Sequence, residues 1–293
     1  RTGLRRNSAE ALRLRGGDMK ISLITACFRS SAVLRTALES VLSQRGADYE
    51  CLVVDGGSSD GTVELLRAYE PKFGGRLRWL SESDGGLYDA LNKGIRRATG
   101  DVIGLLNADD ALAGDTVLAQ VAAAFAQDAT LDGTYADIRF VRDGGGAADV
   151  AALRALPTVR YCSGRWFRPW MFRFGVQTAH PSTFFRASCF ARWGGYSLAY
   201  GMYGDFELLL RFVWKRRAAM RYLPLCTTVM RLGGASTGGW RATLRINRAD
   251  RRALRDNGCR SCYAFLYARY LFKVWGFLGG RMGGRRRGRM QKT

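Results

Sequence analysis

Strand-like and helix-like segments alternate along the chain from Met19 to about residue 127. Each unit begins with a short apolar segment and continues with apolar residues at helical spacing. The predicted strands are Lys20–Ala26, Tyr49–Val54, Leu77–Ser81 and Val102–Leu106, and the helices that follow them are Ala32–Gln44, Thr62–Tyr69, Gly86–Ala98 and Asp115–Ala126. Because parallel strands need crossover connections, this pattern predicts an α/β fold with a mostly parallel, Rossmann-like sheet flanked by helices.

The predicted strands end in polar residues. The first ends at Thr25, the second at Asp55, the third shortly before Asp84, and the fourth at the segment 107–110, which holds an asparagine and two aspartates. Ligands of open α/β sheets bind beyond the carboxyl ends of the strands. Carboxylates that gather there repel one another unless a cation lies among them. A divalent metal ion with a diphosphate group is therefore expected at this edge.

Seven motifs in a fixed order resemble the family-2 glycosyltransferases, which have the GT-A fold. The motifs are Ile24–Arg29, Val53–Thr62, Glu82–Gly94, Gly100–Asp110, His180–Arg186, Gly194–Tyr196 and Asp205–Arg211. The resemblance covers about Met19 to Thr237, and the segment Gly233–Thr237 is similar to the colanic-acid type of exopolysaccharide transferases. It implies an inverting enzyme that moves a single sugar from a nucleotide diphosphate sugar to a saccharide acceptor, expected to be lipid-linked.

The resemblance also implies which residues contact the donor. The residues expected to bind the nucleotide sugar are Thr25, Cys27, Asp55, Asp84, Lys93 and Asn107. Asp55 resembles the residue that accepts hydrogen bonds from the base, and Asp84 the one that faces the ribose or the base. The alternative for Asp55 is a structural role at the start of the next helix.

An aspartate-rich turn follows the fourth predicted strand. Asn107, Ala108 and Asp109 stand where the family has a D-x-D motif, whose carboxylates bind the ribose and the divalent ion. An asparagine brings no charge to the metal, so Asp109 is the expected main ligand of Mn²⁺ or Mg²⁺, with Asp110 as neighbour or second ligand. The alternative is a β-turn that is merely rich in aspartate.

Asp205 stands at the start of the predicted helix Gly204–Trp214 and resembles the family's catalytic base. An inverting transfer needs a carboxylate that takes the proton of the acceptor hydroxyl. Asp205 could instead cap the helix, a role that is compatible with catalysis. Glu207 is the other candidate base, and it is expected to point elsewhere on the helix.

The single histidine and a run of aromatic residues are expected near the sugars. The resemblance puts His180 close to the acceptor or the donor sugar, although a lone histidine is often structural. Trp166 and Trp170 lie in the segment Arg165–Phe174, which interleaves aromatic and basic side chains and suits sugar stacking or a lipid interface. Packing of these aromatics against the sheet is the alternative.

The net charge is +21, and arginines are dense from Arg241 to Lys292. The apolar and aromatic segment Cys262–Leu278 is interrupted by Arg269 and Lys273, which share a helix face. A helix with charges at its centre is expected to lie on an anionic membrane surface instead of crossing the bilayer. The alternative is a helix packed on the domain, followed by a solvated basic tail.

Three parts are expected along the chain. Residues 1–18 would be a disordered leader or an extension that lies outside the folded domain. Residues 19–240 would form the GT-A domain, with a nucleotide-sugar-binding half at 19–127 and an acceptor-binding half at 128–240, and residues 241–293 an amphipathic, helical, membrane-associating tail. Scattered cysteines and the lack of a secretory signal predict a cytoplasmic protein at the inner face of the plasma membrane.

Two other functions fit parts of the sequence. A nucleic-acid-binding protein would use the positive charge, but a rim of carboxylates repels a phosphate backbone. A processive polysaccharide synthase of the same fold would resemble enzymes with several membrane helices and a Q-x-x-R-W motif, and the sequence has neither. We therefore expect a single-sugar transferase that does not bind nucleic acid, while the donor, the acceptor and the oligomeric state stay open.

Overall fold

The computed structural model describes residues 19–144, 146–233 and 240–269. The strands are β1 (Lys20–Cys27), β2 (Asp48–Asp55), β3 (Leu77–Ser81), β4 (Val102–Leu105), β5 (Ala111–Leu112), β6 (Gly133–Val141), β7 (Thr158–Cys162), β8 (Thr183–Arg186) and β9 (Met220–Arg231). The helices are α1 (Leu34–Leu42), α2 (Thr62–Tyr69), α3 (Leu87–Arg97), α4 (Val117–Gln127), α5 (Val150–Ala155), α6 (Ala187–Trp193), α7 (Gly204–Leu209) and α8 (Trp240–Asp256). The predicted leader, the segment 234–237 and the basic tail from residue 270 onward lie outside the described residues.

The strands of the described residues form one sheet in the order β3-β2-β1-β4-β8-β6-β9-β5, and β7 pairs with β6. The strands β1 to β4 pair in parallel, as helical crossovers require. Beyond them β8 is antiparallel to both β4 and β6, while β9 runs parallel to β6. The predicted α/β fold with a mostly parallel sheet in its first half is confirmed.

Helices cover both faces of the sheet, so its central strands are buried on both sides. In β1, Leu23 packs into one apolar cluster and Ile24 into the other, as the alternation of side chains along a strand requires. Helix α3 approaches β1 closely at Gly94, where an added Cβ would lie 2.5 Å from the Ile24 side chain. This contact fixes the height of α3 above the sheet, and with it the position of Tyr88 in its first turn.

The helix predicted at Gly204–Trp214 is present but changes type. It is an α-helix to Leu209 and continues as a π-helix over Leu210–Lys215. A π-helix inserts extra chain into a helix and turns the residues beyond it relative to those before it. Asp205 stands in the first turn, as expected.

The chain beyond residue 240 packs on the domain as far as it is described. Leu254 of α8 and Leu266, in the helical residues 263–269, are fully buried in the second apolar cluster. Arg269 is buried as well, and its guanidinium lies 2.6 Å from Asp250 and also donates to Asn247. Residues 262–269 were expected on a membrane surface. In the structure Leu266 and Arg269 face the core, where Asp250 balances the charge of Arg269, while Tyr263, Phe265 and Tyr267 are exposed.

None of the helices in the described ranges combines the length and the apolar content that crossing a bilayer requires.

Candidate active site

Asp55 closes β2 as predicted, and its carboxylate is completely buried. It accepts hydrogen bonds from Ser81 Oγ (2.6 Å), from the backbone nitrogen of Ser58 (2.8 Å) and from that of Gly57 (3.2 Å), and also from Ser58 Oγ. Burial alone would raise the pKa of Asp55, but the hydrogen bonds from Ser58 and Ser81 outweigh it and lower the pKa. The carboxylate therefore shapes the turn after β2.

An open cleft lies next to this turn. Its volume is about 470 Å³, which lies within the usual range of ligand pockets. Its lining includes Cys27, Phe28, Gly56, Ser83, Asp84 and Leu87, and we call it the Asp84 cleft. The phenyl ring of Phe28 and the side chain of Leu87 are exposed beside Asp84. The cleft thus offers a carboxylate between apolar surfaces.

Three other residues that were predicted to bind the nucleotide sugar, Thr25, Cys27 and Lys93, differ in their position relative to the cleft. Thr25 is buried inside β1, two residues before its end, and does not line the cleft. The Cys27 thiol lines the cleft, where burial and then Asp55 raise its pKa, so it stays protonated. Lys93 holds the loop before α3, with its ammonium 2.9 Å from both the Ser83 carbonyl and Glu82 Oε1. Of these three, only Cys27 faces the cleft directly.

The turn after β4 brings Asn107, Asp109 and Asp110 together. The Asn107 amide donates to Asp110 Oδ2 at 2.7 Å, and Asp110 is 1% exposed while Asp109 is partly exposed. Burial and the neighbouring charge of Asp109 raise the pKa of Asp110 to about 8. A cation bound next to Asp109 and Asp110 would stabilise both carboxylates in their charged form.

Arg231, at the end of β9, binds the same turn. No pattern in the sequence predicted this role. Its guanidinium donates to the backbone carbonyl of Asp109, to Asp143 Oδ2 (2.8 Å) and to Thr36 Oγ1 (3.1 Å). Its backbone nitrogen donates to Asp110 Oδ1 at 3.3 Å. Because both guanidinium and backbone are engaged, Arg231 fixes the position of the turn and leaves the Asp109 carboxylate free to bind.

The donor set of this turn fits a hard divalent cation. Mg²⁺ is commonly held by one or two carboxylates together with substrate phosphates and water, and Asp109 and Asp110 offer such a pair. In the residues that the structure describes, no group of three or more histidine, cysteine, aspartate or glutamate side chains could form a complete cage. An ion at this turn would therefore depend on oxygen atoms of the substrate.

The carboxylate of Asp205 is contacted by two neutral side chains, Gln177 and Tyr88. Gln177 Nε2 donates to Asp205 Oδ2 at 3.0 Å, and Tyr88 Oη lies 3.3 Å from Oδ1. The backbone nitrogen of Asp205 donates back to Tyr88 Oη at 3.1 Å. Within the described ranges no lysine or arginine forms an ion pair with Asp205. Asp205 is partly exposed.

Glu207 lies in a different environment, two residues along the same helix. Its side chain is 5% exposed and is 2.9 Å from the Arg211 guanidinium. The amide of Asn257 also donates to it, at 3.3 Å. Glu207 is thus engaged by Arg211 and Asn257 in the interior, whereas Asp205 is partly exposed and faces Tyr88 and Gln177.

His180 reaches Asp205 only through two tyrosines. His180 Nε2 shares a hydrogen bond with Tyr196 Oη, and the Tyr196 ring stacks on the Tyr88 ring at 5.1 Å. Burial lowers the pKa of His180, although the Asp205 charge opposes the shift. Burial and then the charge of Asp205 raise the pKa of Tyr88, so it remains a hydrogen-bond donor at neutral pH. His180 thus supports the wall of the site as a neutral group.

The two predicted tryptophans differ in their surroundings. Trp166 is 71% exposed, with the Arg165 guanidinium 5.3 Å from its ring centre. Trp170 is 54% exposed, meets Phe174 edge to face at 5.8 Å and lines a second groove, described below. Only Trp170 therefore belongs to an enclosed surface.

The sequence of residues 22–192 matches the model of glycosyl transferase family 2. A PGL/p-HBAD biosynthesis glycosyltransferase of Mycobacterium bovis is 30% identical over 205 residues, which cover 69% of this chain and 73% of that protein. An uncharacterized glycosyltransferase of Mycobacterium tuberculosis is 35% identical over 193 residues, which cover 65% of this chain and 68% of that protein. The similarity includes the strand ends that form the candidate site.

Solved structures with low sequence identity share the fold. The mannosyltransferase PcManGT from Pyrobaculum calidifontis, in complex with GDP-Man and Mn²⁺, has a TM-score of 0.60 at 17% identity, covering 90% of this chain and 77% of that one. A shorter form of S. aureus TarS with UDP-GlcNAc has a TM-score of 0.55 at 16% identity, covering 79% and 66%; this chain spans 39% of a longer TarS chain. The chain therefore belongs to glycosyl transferase family 2 and is a glycosyltransferase with the GT-A fold.

Proposed function

We propose that this glycosyltransferase moves one sugar, with inversion, from a nucleotide diphosphate sugar to a lipid-linked saccharide during synthesis of an exopolysaccharide or another cell-surface glycan. The observation that carries the proposal is the arrangement at the start of α3. Asp84, Gly86 and Leu87 line the Asp84 cleft, and the next residue, Tyr88, lies against Asp205. A donor in the cleft and a base for the acceptor would therefore meet across a single helical turn.

The donor would bind in the Asp84 cleft. A nucleobase could stack on the exposed ring of Phe28, as aromatic surfaces favour, while Asp84 accepts hydrogen bonds from the ribose or the base. GDP-Man and UDP-GlcNAc occur in complexes of the structural relatives, so the chemistry of the donor class agrees with the fold. Asp55 would act indirectly, by holding the turn that contains Gly56.

Asp109 and Asp110 would hold Mn²⁺ or Mg²⁺, which would neutralise charge on the diphosphate as it leaves. Asn107 would hold Asp110 in place through its amide, and Arg231 would hold the backbone of the turn. Because the turn supplies only two carboxylates, we expect the metal ion to bind weakly before the donor arrives.

Asp205 would be the general base. It would take the proton from the acceptor hydroxyl while the hydroxyl oxygen forms its bond to the anomeric carbon and the bond from that carbon to the diphosphate breaks. Gln177 and Tyr88 would hold the carboxylate in position, and Tyr88 cannot compete for the proton because it keeps its own.

An anionic membrane surface would be the site of action. The net charge of +21 supports this, and so do Tyr161, Trp166 and Trp170, which are exposed next to Arg160 and Arg165. Aromatic and basic side chains together favour the headgroup region of a bilayer.

The decisive experiment screens UDP-, GDP- and dTDP-sugars for binding and hydrolysis in Mn²⁺, in Mg²⁺ and in EDTA. One donor class should bind and be hydrolysed slowly, and EDTA should abolish hydrolysis. Asp109→Ala should abolish hydrolysis and the metal-dependent binding of the nucleotide sugar, whereas Glu64→Ala, which removes an exposed carboxylate of α2, serves as the control. If no nucleotide sugar binds under any condition, the proposed function is refuted.

A further inference from the structure

A second groove opens on the side of Asp205 that faces away from α3. It lies between the turn after residue 168, strand β7 and helix α8, and its volume is about 630 Å³. Its walls are mainly apolar, and the residues that matter most are Trp170, Met171, Phe174, Val176, Gln177 and Ile246. We call it the Trp170 groove.

The groove reaches the candidate base through one side chain. Gln177 lines the groove, and its amide donates to Asp205 Oδ2 at 3.0 Å. If the acceptor hydroxyl approaches Asp205 past Gln177, the rest of the acceptor therefore lies in the groove. The Asp84 cleft has none of these lining residues, so the two cavities can be occupied at the same time.

The aromatic walls are built from packed rings. Phe174 lies between Trp170, at 5.8 Å, and Phe265, on which it stacks at 4.9 Å. Trp170 itself is 54% exposed, so one side of its ring is available to a ligand. Rigid, exposed aromatic surface next to aliphatic side chains binds apolar groups at low entropic cost.

Charge at the groove also restricts its occupant. Arg269 is the buried cation of the wall, and Asp250 balances it at 2.6 Å. Arg160 is exposed at the outer end and lies 5.4 Å from the Phe140 ring. Among the residues that the structure describes, the lining contains no carboxylate, and most of its surface is apolar, which favours an apolar group over a sugar with many hydroxyl groups.

We propose that the Trp170 groove binds an apolar aglycone, alkyl or aryl, that is attached to the acceptor close to the hydroxyl that receives the sugar. The proposal rests on the function proposed above and specifies its acceptor. Trp170, Phe174 and Ile246 contact the aglycone and determine specificity, while Gln177 keeps Asp205 at the end of the groove.

Binding of simple glucosides to the full chain tests the proposal. The probes are octyl, phenyl and methyl β-D-glucopyranoside, below the micelle concentration, measured by calorimetry. Since one well-placed apolar contact changes affinity by about tenfold or more, octyl and phenyl glucoside should bind at least about tenfold more tightly than methyl glucoside. A preference for octyl over phenyl, or the reverse, then separates a lipid chain from an aromatic aglycone.

Three groove variants and one control locate the binding. Trp170→Ala and Ile246→Ser, on different walls of the groove, should each remove most of the preference for octyl and phenyl glucoside over methyl glucoside. Trp170→Phe keeps an aromatic ring and should retain part of that preference. Tyr263→Ala removes an exposed aromatic that does not line the groove and should keep the preference. Hydrolysis of the nucleotide sugar should be unchanged in Tyr263→Ala, because Tyr263 lines neither the Trp170 groove nor the Asp84 cleft.

Two results would overturn the proposal. Equal binding of the three glucosides to the wild-type chain would mean that the groove does not select an apolar group, as when other residues of this chain fill it. An equal loss of preference in Tyr263→Ala and Trp170→Ala would indicate unspecific adsorption. The screen of nucleotide sugars is independent of this test. If the chain hydrolyses a nucleotide sugar but shows no preference among the glucosides, only the aglycone proposal is refuted.

Discussion

Two carboxylates on one helix, Asp205 and Glu207, have different partners although they are only two residues apart. At 3.6 residues per turn, such positions point in nearly opposite directions. Asp205 therefore faces Tyr88 and Gln177, while Glu207 faces Arg211 in the core. The sequence predicted this difference from helical periodicity, but it did not identify Tyr88 or Gln177, because partners from distant segments carry no local pattern.

We predict that Asp205→Asn lowers the rate of sugar transfer by about a hundredfold to ten-thousandfold, the usual effect of losing a general base. An amide keeps the size of the carboxylate, but it offers one acceptor oxygen in place of two and cannot take the proton. Turnover should fall far more than donor affinity, which steady-state kinetics and calorimetry can separate. Glu207→Gln is the matched control, and a larger loss of turnover in that variant would contradict the assignment.

Asp55 should contribute to stability in a pH-dependent way. Its pKa is lowered in the folded protein, so its stabilising effect is present above the ordinary aspartate pKa and disappears as the pH falls through the lowered value. We predict that Asp55→Asn lowers the free energy of unfolding by about 1–3 kcal/mol at pH 7, and that the difference from wild type narrows below about pH 4. Urea denaturation at both pH values measures this, and a constant difference would contradict it.

At the scale of elements, the local patterns were good predictors of the first half. Leu77–Ser81 and Thr62–Tyr69 have the predicted bounds, and β1 is one residue longer than predicted. These elements alternate regularly, so each is specified by its own residues.

The π-helix at Leu210–Lys215 was not predicted. Its apolar residues have the spacing of an ordinary helix, so the sequence gives no sign of the wider turn.

Strand β9 carries the least predictable part of the site. Arg231 is 122 residues from Asp109, whose carbonyl it binds, and a lone arginine at the end of a strand has many possible roles. Its contacts with Asp143 and Thr36 come from two further segments. The aspartates of the turn were predictable from the sequence, but the side chain that positions them was not.

We predict that Arg231→Lys raises the Mn²⁺ concentration needed for half-maximal donor hydrolysis by about 10- to 100-fold, as loss of a group that orients a metal ligand usually does. A lysine ammonium cannot span the partners that the guanidinium joins. Arg221→Lys, on the same strand and paired with Asp128 at the surface, is the control. Equal metal affinity in the Arg231 variant would show that the turn holds its shape without this side chain.

At the scale of the whole molecule, the domain includes residues that composition alone assigned to a tail. The end of the domain was predicted at residue 240, because arginines become dense from Arg241 onward. In the structure, Leu254, Cys259 and Leu266 are buried in the same cluster as Phe206. An arginine-rich helix can therefore have a buried apolar face, which the average charge of the segment conceals.

We predict that, compared with a chain ending at residue 269, one ending at residue 258 loses several kcal/mol of stability. The second loses Cys259, Leu266 and the ion pair of Arg269, and one buried leucine alone contributes about 2–3 kcal/mol. Calorimetry measures both. The chain ending at 269 should also bind anionic liposomes more weakly in flotation assays, and unchanged binding would assign the membrane surface to the folded domain.

The position of β9 in the sheet has a consequence for the order of folding. It is the last strand of the described chain, yet it lies between β6 and β5. A ribosome must therefore release about 230 residues before β5 finds its neighbour and Arg231 reaches the turn of Asp109. Contacts that close such long loops form late. The aspartate turn should then be among the last parts of the nascent protein to become ordered, and an incomplete chain would lack it.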